Sequence, residues 1–93
     1  MATEFLAEAP NPQGLFIQIQ QWASANGFQL NGGPKSGNFR GTPGGIEGMF
    51  MGEIIGNYTV SGNQITIRVN KNIPADAVAQ RLARFGLRLI GAR

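Results

Sequence analysis

Apolar and polar residues alternate most regularly between Gly52 and Asn70, in two runs separated by Ser61-Gly62-Asn63. Ile65, Ile67 and Val69 fall on one side of a pleated strand and Thr66, Arg68 and Asn70 on the other, which predicts a β-hairpin with one face in need of a cover. Upstream, Phe5, Ala7 and Ala9 alternate with Glu4, Leu6 and Glu8, so Thr3 to Ala9 reads as a strand that stops at Pro10.

The period then changes. Leu15, Ile19, Trp22 and Ala23 recur at helical spacing, with Phe16 widening the stripe and Gln18, Gln20 and Gln21 facing away. Asn11 and Pro12 suit the start of this helix, and Gly27 supplies its stop after about Asn26. From Gly32 to Gly48 glycine recurs too often for a helix, and turns and short strands are expected. Asn38 to Arg40 and Ile46 to Met51 are apolar enough to be strands, with Gly44-Gly45 as a turn between them.

Ile73-Pro74 closes the last strand of the hairpin, because proline removes a ladder donor and keeps its predecessor extended. Beyond it Ala75, Val78, Ala79, Leu82, Phe85, Leu89 and Ile90 form one helical stripe, with Asp76 near the positive end of the helix dipole and Arg81, Arg84 and Arg88 toward the negative end. Gly86 interrupts that stripe at about 1 kcal/mol relative to alanine, so a bend or a separate short segment is expected there. The expectation is one α+β domain over residues 1–93. It has an antiparallel sheet in β-α-β-β-β-α order, with both helices on one face.

Composition narrows the chemistry. The 93 residues contain no cysteine and no histidine, which leaves out disulfides, thiolate nucleophiles and Ser-His, Cys-His or His-zinc centres built from this chain alone. The N-terminus has no basic region followed by an apolar core, and no apolar run is long enough to span a bilayer, so a soluble, cytoplasmic chain is expected. The net charge of +3 is concentrated at the C-terminal end, where residues 63–93 carry six bases against Asp76.

The order strand, helix, three strands, helix has a residue pattern to go with it. Gly52-Glu53-Ile54-Ile55-Gly56-Asn57-Tyr58-Thr59-Val60 leads through Ser61-Gly62-Asn63 into Ile65-Thr66-Ile67-Arg68-Val69 and then Ile73-Pro74. Together they resemble the small bacterial polyhydroxyalkanoate granule-associated system proteins. The topology matches over nearly the whole chain and the residue pattern over residues 52–74. The resemblance implies this α+β fold and offers no catalytic residues to carry over.

Five groups of residues are candidates for function. Gly32-Gly33-Pro34-Lys35-Ser36-Gly37 has the composition of a phosphate loop, but Pro34 lacks an N–H and no helix follows, so an ordinary loop is expected. Glu47 and Glu53 would be an acid–base pair only if the fold brought them together, and two solvated glutamates are expected instead. Arg81, Arg84 and Arg88, at spacings of three and four, form a row able to bind phosphates or an acidic partner, which Arg40, Arg68 and Lys71 would extend only if the outer sheet face lay nearby, and a solvated helix face is expected instead.

The aromatic residues Phe16, Trp22, Phe50, Tyr58 and Phe85 are expected to fill the core rather than line a ligand cavity. Ile54-Ile55 places an isoleucine on each face of its strand, and with Met49 and Met51 this predicts a self-association face. The leading expectation is a non-catalytic interaction or assembly module, without cofactor or metal, acting as a homo-oligomer or on a protein partner. Binding of nucleic acid or an anionic surface through the basic helix, and binding of an apolar ligand or granule surface, are the alternatives.

Overall fold

Strand-forming and helix-forming segments follow one another as the alternation requires. The computed structural model describes residues 1–10, 12–42 and 52–93. Strand β1 spans Ala2–Glu8, and a 3-10 turn, Pro12–Gly14, leads into helix α1, Leu15–Ala25. Strands β2, Phe28–Gly32, β3, Ser36–Gly41, β4, Ile54–Ser61, and β5, Gln64–Ile73, come next, followed by helix α2, Ala75–Ala83, and strand β6, Arg88–Ala92. The strands form one sheet in the order β2-β3-β4-β5-β1-β6, each neighbouring pair antiparallel. Both helices pack on the same face. The α+β class, the antiparallel sheet and the one-sided helices are as expected, with β2 and β6 added to the sheet.

The position of β1 fixes the topology. It lies between β5 and β6 and is antiparallel to both, so β5 and β6 run parallel to each other and α2 carries the chain over β1 from one to the other. The result is a split β-α-β unit. A backbone hydrogen bond from Ala9 N to Asn63 O (2.8 Å) ties the end of β1 to the β4–β5 turn. That turn is the two-residue Gly62-Asn63 connection, with Gly62 at φ +62°, which matches the right-handed twist of its strands.

The core lies between sheet and helices. Leu15 and Ile19 of α1 and Leu82 of α2 are buried against Phe5, Ala7, Phe39, Ile54, Tyr58, Ile65 and Ile67 of the sheet. The largest fully buried side chains, Tyr58, Phe5, Ile65 and Leu82, contribute roughly 1.5–3 kcal/mol each by leaving water. Trp22 stacks on Phe28 with centroids 5.3 Å apart and meets the edge of Phe39 at 5.6 Å. Trp22 and Phe39, together with Tyr58 and Leu82, leave a gap of only about 10 Å³, too small for a ligand. Trp22 and Tyr58 belong to the core, as expected, whereas Phe16 and Phe85 are half-buried and lie outside it.

Close packing of β3 on β4 rests on two glycine–aromatic pairs. Gly37 faces Tyr58 and Gly56 faces Phe39. A Cβ at Gly56 would lie 2.5 Å from the Phe39 ring, and one at Gly37 would lie 2.6 Å from the Tyr58 hydroxyl oxygen. Each ring therefore lies over the glycine of the other strand.

The C-terminal stripe is not one helix. α2 ends at Ala83, and Leu89 and Ile90 belong to β6. Gly86 has φ +78°, a left-handed conformation that favours glycine. Around it Gly86 N donates to Ala83 O (3.1 Å) and Leu87 N to Leu82 O (3.0 Å). These two bonds are the Schellman closure, and its usual apolar contact falls to the buried pair Leu82 and Leu87.

Candidate interaction surface

With both helices on one side, the other face of the sheet carries the outward residue of every strand. One row across it is Asn31, Asn38, Asn57, Arg68 and Glu4, in register on β2, β3, β4, β5 and β1. A parallel row places Gln29 beside Arg40 and Arg40 beside Ile55, and Asn70 Oδ1 accepts from Ile55 N at 2.9 Å. A third joins Ser36, Thr59, Thr66 and Leu6. The face is amide-rich and hydroxyl-rich, and none of its described outward positions is aromatic.

Charges on this face are paired. Arg68 Nε donates to Glu4 Oε2 at 3.3 Å, Arg40 Nη2 reaches Glu53 at 3.1 Å, and Arg88 donates to Glu8. All three pairs are exposed, so each adds no more than about 1 kcal/mol to stability. Their larger effect is to cancel local charge. Among the described residues the exposed large apolar side chains are Met1, Ile17, Ile55 and Ile90, of which Ile55 at 46% and Ile90 at 40% are on strands.

The sequence candidates distribute as follows. Ile55 points outward on β4 and Ile54 inward, as the alternation requires. Met49 and Met51, Glu47, Phe50, the Ile46–Met51 segment, the Gly44-Gly45 turn and the Asn11 cap lie outside the described residues. Glu53 is held by Arg40.

The three arginines do not form a helical row. Arg81 is on α2, Arg84 caps its end, and Arg88 is on β6, because Gly86 ends the helix between them. Arg81 Nη1 donates to Asn26 Oδ1 at 2.6 Å while Asn26 Nδ2 donates to Trp22 O at 2.8 Å, so Arg81 ties α2 to the end of α1. Arg84 is exposed.

The glycine-rich Gly32–Gly37 segment is the β2–β3 turn. Gly33 O accepts from the Tyr58 hydroxyl at 2.7 Å and Lys35 O from Val60 N at 2.7 Å. The turn is thereby anchored to β4, and a strand rather than a helix follows it. Burial raises the pKa of the Tyr58 hydroxyl above its ordinary 10.0.

One feature had no counterpart in the pattern of the chain. A groove of about 510 Å³ runs between the start of α1 and the two hairpin turns, lined by Leu15, Phe16, Ile17, Pro34, Lys35 and Val60. Its parts come from three separated segments, which no local period connects. The glycine–aromatic pairs did leave a signal, the repeated Gly37-Asn38-Phe39 and Gly56-Asn57-Tyr58.

Among the described residues no three carboxylates gather as a metal site would require, and no helix is long and apolar enough to cross a membrane. No family model matches the chain, and no curated protein or solved structure matches it either.

Proposed function

We propose that this chain is a small non-catalytic interaction module that works by self-association or by docking a protein partner on the uncovered face of its sheet. The observation that carries the reading is one-sidedness: both helices cover one face, and the other presents Ile55 among paired charges and amides. Neutralised arginines and an exposed isoleucine favour a protein surface over a polyanion.

Electrostatic binding of nucleic acid has less support. Arg88 faces Glu8, Arg81 faces Asn26, and the uncovered face offers no aromatic ring at a described position for bases to stack on. Among the described residues no acid–base pair is poised, since Glu4, Glu8 and Glu53 each hold an arginine.

The test is the mass of the protein by light scattering over a concentration series, for the wild type and for Ile55→Lys. Position 55 is exposed, so the substitution leaves the core intact. The expected result is a wild-type mass that rises with concentration and a variant that stays monomeric. A strictly monomeric wild type throughout would overturn self-association.

A further inference from the structure

The two edges of the sheet differ. β6 carries Arg88, is followed by Arg93, and its pairing to β1 breaks register between Leu6 and Ala7. Charges and a bulge of this kind discourage a further strand. β2 has none of these features. Phe28-Gln29-Leu30-Asn31-Gly32 contains no charge and no proline, and it pairs with β3 without any register shift.

The backbone of β2 is also oriented for pairing. Gly33 N donates to Ser36 O at 2.9 Å, and in an antiparallel ladder hydrogen-bonded positions alternate from there. Asn31 and Gln29 therefore bond toward β3. Phe28, Leu30 and Gly32 turn their N–H and C=O groups to the side on which no described strand pairs.

We infer that a second copy of this chain pairs antiparallel along β2, about a twofold axis through Leu30, to join two six-stranded sheets into one. The inference rests on the reading of the chain as an assembly module, but not on its Ile55 face. Self-complementarity selects the partner. About that axis Leu30 faces itself, Phe28 faces Gly32, and Gln29 faces Asn31.

The Phe28–Gly32 pair repeats the glycine–aromatic packing that joins β3 to β4. The Gln29–Asn31 pair continues the amide row of Asn31, Asn38 and Asn57. Charge agrees, because two copies of a chain with net charge +3 meet here at an edge with no charge of its own, whereas joining two β6 edges would bring arginines together.

The chain has no cysteine, so introduced cysteines report on pairing directly. Opposed residues at a non-hydrogen-bonded position lie about 4.5 Å apart between Cα atoms, within disulfide reach. Gln29 and Asn31 are exposed, so cysteines there spare the core. An equal mixture of Gln29→Cys and Asn31→Cys chains, mildly oxidised, is expected to give mixed disulfide dimers well above the half that random pairing yields. A random proportion, or no disulfide dimer, overturns edge pairing.

Scattering of Ile55→Lys separates the two readings. If that variant becomes monomeric and the cysteines pair at random, association uses the Ile55 face and the β2 proposal falls. If it keeps the wild-type mass and the mixed disulfide dominates, the edge proposal stands and the Ile55 reading falls. A wild type that is monomeric at every concentration overturns both.

Discussion

Tyr58 shows how one side chain links three parts of the fold. Its ring is buried on β4 over Gly37 of β3, and its hydroxyl donates to Gly33 O in the β2–β3 turn. Tyr58→Phe keeps the ring and removes the bond, so a loss of about 1 kcal/mol is expected in chemical denaturation. The pH dependence follows from the raised pKa. Above the ordinary tyrosine value the unfolded chain releases its proton while the folded chain still holds it. The folded state then binds more protons, and stability falls as pH rises. Tyr58→Phe should lack this part of the alkaline loss, and equal losses in both proteins would contradict the assignment. Tyr58 is the chain's one tyrosine, so phenolate absorbance reports its titration directly.

At the scale of elements, the end of α2 decides where the C-terminal arginines go. The stripe from Ala75 to Ile90 fits a helix, and the same Leu89-Ile90 pair fits a short strand equally well. Gly86 resolves the ambiguity through its left-handed φ and the closure that Leu82 and Leu87 complete. Gly86→Ala distinguishes the alternatives by sign. In a continuous helix alanine would stabilise by roughly 1 kcal/mol, whereas at φ +78° it should destabilise by about 1–2 kcal/mol. The midpoint of urea unfolding measures which.

β2 was missed for a related reason. Five alternating residues that end in glycine look the same as the start of the glycine-rich stretch, and pairing with β3 is what makes them a strand.

For the whole molecule, β6 closes the fold. It flanks β1, and Arg93 exchanges backbone bonds with Glu4, N to O at 2.8 Å and O to N at 3.0 Å. Removing residues 88–93 would leave β1 as an edge strand and take away Leu89, which packs on the core. Loss of cooperative thermal unfolding, followed by circular dichroism, is the expected outcome. An unchanged melting curve would mean that the split β-α-β unit does not need its last strand.

Local periods suffice for what is local. The alternation of Ile65, Ile67 and Val69, the helical spacing of Leu15, Ile19 and Ala23, and the turn at Gly62 are each set by residues within a few positions of one another. The amino-acid sequence by itself therefore determined the hairpin, both helices, the inward and outward isoleucines at positions 54 and 55, and the α+β class. Contacts between distant segments carry no such period. Only the tertiary structure placed β1 between β5 and β6, moved Arg88 from a helix face to Glu8 across a sheet, and set each aromatic ring over a glycine on another strand. It also left β2 at an edge with its carbonyls and amides turned outward, because burying the apolar face of every strand under two helices fixes which strand comes last.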